Sequence, residues 1–383
     1  MYERLTALRH ALVEAPAAGV AERFTEFVTR RYALADAELF LVDYRLAALV
    51  PLRGGAPHTH PGTPTWRCFD HQEVVTDGQS TLLPVTVRGE RLGVVRLTGL
   101  GDDRERHAEL AQAVLALAHE LAAAWSRTDR YVAAARTRRL TLAAEMQWEL
   151  LPGRACAGAG FDLAGQLEPA YGVRGDTFDW AHDEARVYLA VINGMGEGVA
   201  AAMLTALCTH ALRNARRAGL PLADAAALAD QAVYGQYQGA QHVEALLLEL
   251  DLVTGRLTVV DAGSPRLFLL RDGDLISPRL EPQFPFGMFE DSLYRPETLT
   301  LRPGDRLVVL SDGVVHAARQ AARYGDGALD RFLRRAGALA PLEAVRSLLG
   351  DLRAFLGGDL ADDAVAVCLD WSGPAPGPAD APA

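Results

Sequence analysis

Apolar residues are spaced differently in three stretches of the chain. Over residues 1–100, Leu5, Leu8 and Leu12 recur at helical spacing, and short strand-like runs follow at 37–43 and 46–52 with a short turn between them. A second pair of runs, 82–87 and 92–97, flanks Arg88-Gly89-Glu90-Arg91, a hairpin signal. From 102 to 151 the spacing turns helical. Leu110, Val114, Leu117, Leu121 and Trp125 make one stripe, a basic stretch at 130–139 interrupts it, and Leu142, Met146 and Leu150 restore it. One helix over this stretch would be about 70 Å long, more than a single domain's core needs. The pattern therefore predicts a signalling helix that joins two domains and pairs with its copy in a homodimer. After Pro152-Gly153, strand-like runs at 186–192, 243–253, 256–261, 266–270, 306–310 and 364–369 surround two helical stretches, 197–217 and 222–237. Thr254-Gly255 and Asp272-Gly273 supply hairpin turns, so antiparallel strands with grouped helices predict α+β layering.

Composition narrows the partners more than the fold. The chain has 383 residues, which suits two or three domains, and a formal net charge of −11, which argues against nucleic acid or an anionic membrane as partner. Cys68, Cys156, Cys208 and Cys368 are far apart and form neither a zinc pattern nor a disulfide framework, so a reducing, cytoplasmic setting is expected. The N-terminus lacks the apolar core of a signal peptide, and no apolar run is long enough to span a bilayer. The expected domains are 1–101, a linker at 102–152, 153–371, and a Pro- and Ala-rich disordered tail at 372–383.

The order of helix, strands, loop, hairpin and closing helix in residues 1–101, with Gly89-Glu90-Arg91-Leu92-Gly93-Val94 in the hairpin, resembles a GAF-type sensory domain. That resemblance implies a small-molecule ligand. The intervening loop carries His58, His60, Cys68 and His71, which are conceivable metal or haem ligands. Prolines 57, 61 and 64 break any regular spacing, and the reading preferred is a surface loop closing over a pocket.

Beyond the linker, Gly175-Asp176, Asn193-Gly194, Ser311-Asp312-Gly313 and Asp362-Asp363 place acidic or amide groups at the ends of apolar runs. Several such oxygens brought together suit a hard cation. Each alone is an ordinary turn or helix cap.

Their joint order resembles the metal-dependent protein phosphatase (PPM) family, in particular the bacterial branch that regulates sigma factors by dephosphorylating anti-anti-sigma proteins. Glu145-Met146-Gln147-Trp148-Glu149-Leu150-Leu151-Pro152 resembles that branch's LQ-x-x-LLP entry motif. Val173-Arg174-Gly175-Asp176-Thr177-Phe178-Asp179 resembles VGGD-x-[FY]-D, with Arg174 in place of glycine, and Ile192-Asn193-Gly194-Met195-Gly196-Glu197-Gly198 resembles D-G-M-G-x-G. Asp261-Ala262-Gly263-Ser264-Pro265 is similar to AGHxP, with Ser264 for histidine. Pro303-Gly304-Asp305, Leu310-Ser311-Asp312-Gly313-Val314 and Asp362-Asp363 complete the series.

The resemblance implies an αββα sandwich with the metals at one end. Asp176, Asp312 and Asp362 would be metal ligands, Gly194 would offer its carbonyl, and two Mn²⁺ or Mg²⁺ ions would activate a water for in-line attack on phosphorus. Asp179 and Asp363 would hydrogen-bond around the ligands. Asn193 stands where the family has the aspartate that bridges both metals. The outcome is then either weakened metal binding with slow turnover, or a pseudophosphatase that binds a phosphorylated regulatory protein without hydrolysing it. Arg174 either contacts a substrate phosphate or pairs with Glu197 or Asp179. His182 and His316 read as surface positions, and Cys208 and His210 as structural.

Overall fold

The computed structural model describes residues 2–101, 103–169, 173–358 and 360–374 and divides into two compact units, Met1–Arg139 and Leu140–Ala383. Most of the tail expected at 372–383 lies outside the described residues. No described helix is long and apolar enough to cross a membrane.

In the first unit, helices α1 (Tyr2–Val13) and α2 (Val20–Tyr32) precede β1 (Asp36–Val42) and β2 (Leu49–Pro51). Helix α3 (Pro64–His71) leads to β3 (Val75–Asp77), β4 (Ser80–Val87) and β5 (Glu90–Thr98), and α4 (Arg104–Trp125) and α5 (Asp129–Ala134) close the unit. The strands form one antiparallel sheet in the order β2-β1-β5-β4-β3. Gly93 of β5 lies so close to β1 that a Cβ there would sit 1.9 Å from the Phe40 carbonyl oxygen.

The long linker helix expected over 102–152 is absent. Helix α4 stops at Ser126, Thr128 caps a separate α5, and a third helix, α6 (Leu142–Leu150), starts at the Thr141 cap and belongs to the second unit. The stripe assigned to a dimer seam is used at home: Leu110, Val114, Leu117 and Leu121 are buried in the first unit's core with Phe24, Val28 and Leu83. These four residues of the stripe are thus covered within their own unit, while Leu142 on α6 is exposed.

The loop before β3 also differs from expectation. Pro64 begins α3, where its missing N–H costs nothing. Cys68 and Phe69 of this helix are fully buried, while His58 bonds Thr65 through Nδ1 at 3.2 Å and packs on Phe40.

The second unit is an αββα sandwich. After α6 come β6 (Ala155–Gly158), β7 (Phe161–Glu168), β8 (Asp176–His182) and β9 (Arg186–Gly194), then helices α7 (Gly198–Arg217) and α8 (Leu222–Tyr237). Strands β10 (Val243–Asp251), β11 (Arg256–Ala262), β12 (Arg266–Arg271), β13 (Asp274–Ile276), β14 (Glu297–Thr300) and β15 (Asp305–Leu310) follow. The one-turn helix α9 (Asp312–Val315), a small hairpin of β16 (Ala318–Arg319) and β17 (Ala322–Arg323), helices α10 (Ala328–Arg335) and α11 (Pro341–Leu356), and β18 (Ala364–Trp371) complete it. One sheet runs β14-β11-β10-β9-β8 and the other β13-β12-β15-β18-β7-β6, every pairing antiparallel.

Alternation builds the layers. Leu189, Val191, Leu246 and Leu248 face Leu307, Val309, Val365 and Val367 between the sheets. Their neighbours Ala190, Ile192, Ala245 and Leu247 face the other way, onto Leu204, Cys208 and Val233 of α7 and α8. Helix α11 packs on β7 and β18 of the opposite sheet. The two helical stretches expected at 197–217 and 222–237 are α7 and α8. Helices α9, α10 and α11 were not anticipated.

Candidate active site

Four strand ends meet at one end of the sandwich: the start of β8, the end of β9, the end of β15 and the start of β18. Asp176 opens β8 directly opposite Asn193 on β9, so the two side chains share a face. Asp312 opens α9 immediately after β15, and Asp362 and Asp363 immediately precede β18. Two close approaches hold these turns together. Gly313 lies against the Asp362-Asp363 turn, where a Cβ would fall 1.8 Å from the Asp363 carbonyl oxygen. Gly175, at φ +95°, lies against Gly194, where a Cβ would come within 2.5 Å of that residue's carbonyl oxygen.

Asp176 is 1% exposed, and neither of its carboxylate oxygens has a hydrogen bond of normal geometry among the described residues. Burial raises its carboxyl well above the usual range, Asp312, Asp363 and Asp362 push the same way, and the neighbouring Ser311 hydroxyl opposes them. Asp362 is half-exposed, and burial with the charge of Asp312 raises it too, against the Asp363 N–H and Arg174.

Asn193 donates from Nδ2 to Asp312 Oδ1 at 3.0 Å and to Ser264 Oγ at 3.2 Å. The Gly313 N–H reaches the same Asp312 oxygen at 3.0 Å. Asp363, fully buried, accepts at Oδ2 from the backbone N–H of Arg174 (2.8 Å) and Gly175 (3.1 Å) and from Gln147 Nε2 (3.0 Å).

Asp363 thus holds the turn that leads into Asp176, whereas Asp179 lies away from it. Three residues along β8 from Asp176, Asp179 points to the helical side and pairs with Arg213 (2.8 Å) and Arg216 (2.9 Å) of α7. An odd separation on a strand reverses the face. Arg174 pairs with neither Glu197 nor Asp179. Its Nε lies 3.8 Å from Asp362 Oδ1 and the side chain is half-exposed at the mouth of the site. His182 meets Phe161 edge-to-face and His316 caps α9, both on the surface, while His210 bonds its own helix at Ala206.

Gln147 was missed. It is 1% exposed on α6 and its Nε2 reaches both the Asp176 carbonyl and Asp363 Oδ2 at 3.0 Å. It belongs to the entry motif, but sequence spacing gives no sign that a residue so far upstream touches the site. Thr205 was missed as well. Its hydroxyl donates to the Gly175 carbonyl at 2.7 Å.

No three Asp, Glu, His or Cys side chains among the described residues converge as a ready-made metal cage. The buried Asp176 carboxylate, which has no cationic side chain paired to it among the described residues, nevertheless fits a hard cation, since such a charge is otherwise costly to keep. Thiol chemistry does not fit. All four cysteines are buried, and burial pushes the Cys68 and Cys208 thiols up to about 12 and Cys368 up as well, which disfavours the thiolate form in these three.

Residues 183–372 match the family model described as stage II sporulation protein E (SpoIIE). Asp176 and Asp179 lie just before the matched range. A curated relative, phosphoserine phosphatase RsbP of Bacillus subtilis (strain 168), is 25% identical over 137 residues, covering 35% of this chain and 34% of that protein. The match thus spans about a third of the relative's length.

Among solved structures, the PP2C phosphatase domain of SpoIIE with a fragment of its regulatory domain, from Bacillus subtilis, is similar in fold at 17% identity and a TM-score of 0.50, covering 56% of this chain and 64% of that one. The catalytic domain of the serine/threonine phosphatase PstP, solved in complex with two manganese ions, gives 18% identity and a TM-score of 0.43, covering 55% of this chain and 97% of that one. With the ordered aspartates gathered at one end of an αββα sandwich, and a SpoIIE match over most of the unit that carries them, the second unit is a phosphatase domain of the SpoIIE, PP2C-like type.

Proposed function

We propose that the second unit is a cation-dependent protein serine/threonine phosphatase acting in the bacterial cytoplasm on a phosphorylated regulatory protein of the anti-anti-sigma type. The first unit, read as GAF-like, would control it by binding a small molecule. The observation that carries the reading is Asp176: a buried carboxylate with only the Ser311 hydroxyl beside it and no cationic side chain paired to it among the described residues, where Asp312, Asp362 and Asp363 also gather. When bound, Mn²⁺ or Mg²⁺ supplies Lewis acidity that offsets phosphoryl charge and favours water as nucleophile. Asp176, Asp312 and Asp362 would hold it.

The chain's own groups do the positioning. Asp363 fixes the backbone of Arg174 and Gly175, which presents Asp176 to the site. Arg174, half-exposed beside Asp362, would receive phosphoryl oxygens. Gln147 ties α6 to that same turn, so a displacement of α6 would reach Asp176 through two hydrogen bonds.

A second reading has its own observation. The Asn193 amide already satisfies Asp312, as a cation would, which favours a pseudophosphatase that holds a phosphoprotein without turnover. Phosphate release from a phosphoserine protein, measured on the full chain with and without Mn²⁺, separates the two. Mn²⁺-dependent release by wild type, lost in Asp176→Asn, supports the enzyme. Release by Asn193→Asp alone supports the second reading, and release by neither refutes catalysis.

A further inference from the structure

We propose that this site holds one divalent cation rather than two, because the side-chain amide of Asn193 takes the place that a shared ligand of a second ion would need. The inference rests on the cation-dependent reading above, yet concerns binding and not turnover.

Two hard dications in one pocket need an anionic oxygen between them to offset their repulsion. The side chain opposite Asp176 is the natural bridge, and here it is Asn193. The NH₂ end of the amide donates to Asp312 Oδ1 at 3.0 Å. The same nitrogen reaches Ser264 Oγ at 3.2 Å. The amide therefore presents donors, not an oxygen, toward the carboxylates.

The other acidic groups divide accordingly. One oxygen of Asp312 is engaged by the amide and by the Gly313 N–H. Asp362 has the Arg174 guanidinium at 3.8 Å. Asp363 is occupied by two backbone N–H groups and Gln147. Asp176, 1% exposed, has only the Ser311 hydroxyl nearby and no hydrogen bond of normal geometry on either oxygen among the described residues. The unmet demand for positive charge is that of one ion. Asp176 would hold it with the remaining oxygens of Asp312 and Asp362.

The test is equilibrium dialysis of the full chain against MnCl₂ after chelator treatment, with bound metal counted and free Mn²⁺ read by electron paramagnetic resonance. Wild type is expected to bind one equivalent, and Asp176→Asn to lose it. Asn193→Asp is expected to bind two, with the first bound about 10- to 100-fold more tightly, the usual scale for repairing a metal site's immediate surroundings. If that variant does not fold without metal, it is prepared in Mn²⁺ and dialysed to a series of free concentrations. Two equivalents or none on wild type overturn the inference, as does one equivalent that survives Asp176→Asn, or an Asn193→Asp variant that still binds one. One bound ion without phosphate release supports the inference while overturning the enzymatic reading. Two bound ions with release do the reverse.

Discussion

Replacing Asn193 by aspartate should make the metal-free protein less stable, by an amount that follows from two contacts. The wild-type amide gives Asp312 a hydrogen bond at 3.0 Å, and a bond to a charged group contributes about 1.5–3 kcal/mol net. Aspartate removes that donor and sets two carboxylates at the same spacing, where repulsion at an effective dielectric of 20 is about 5 kcal/mol. Proton uptake caps this term: protonating one ordinary carboxyl at pH 7 costs about 4 kcal/mol. Asp312 and Asn193 are only partly buried, so water screens part of the remainder. A loss of about 2–4 kcal/mol is expected, which for a domain of this size lowers Tm by roughly 5–15 °C. The assay is a thermal melt of the full chain in chelator and in excess Mn²⁺. Saturating metal at a hundredfold over Kd should return about 2.7 kcal/mol to the variant. A variant that melts in chelator within about 2 °C of wild type would refute the Asn193–Asp312 contact on which this reasoning depends.

Further expectations test other parts of the site. Because Asp176 is raised by burial in the folded state, its contribution is favourable below the ordinary carboxyl range and is lost as pH rises through its folded value. Metal-free stability should thus fall with rising pH, and Asp176→Asn should remove that component and gain roughly 1–3 kcal/mol at pH 7 in denaturant titrations; no gain would mean the carboxylate has a partner. In Mn²⁺ the sign should invert, since the variant cannot bind the ion. Gln147→Ala leaves Asp363 short of a donor and should cost about 1–3 kcal/mol while lowering turnover. Arg174→Ala, at a half-exposed pair, should shift stability by no more than about 0.5 kcal/mol but raise KM for a phosphoprotein; an unchanged KM would remove Arg174 from phosphate binding. Leu117→Ala should destabilise the first unit by about 2–5 kcal/mol without altering oligomeric state by light scattering, whereas a dissociating dimer would restore the seam.

Much of the second unit was legible in the sequence because its information is local. Alternation in 186–192 and 243–253 set the strands, the runs at 197–217 and 222–237 set α7 and α8, and ordered Gly-Asp, Asn-Gly, Asp-Gly and Asp-Asp steps marked the strand ends that carry Asp176, Asn193, Asp312 and Asp362. The chemistry at 193, an amide where a carboxylate is expected, was also plain from the sequence. What only the tertiary structure decided is which partners those groups find. Asp179 turns to Arg213 and Arg216 because strand parity faces it to α7, and Gln147 reaches Asp363 across 216 positions of chain. The stripe of α4 looked like a dimer seam because periodicity reports that a face is buried and not against what. In the folded chain that face is covered by the first unit's own sheet and helices.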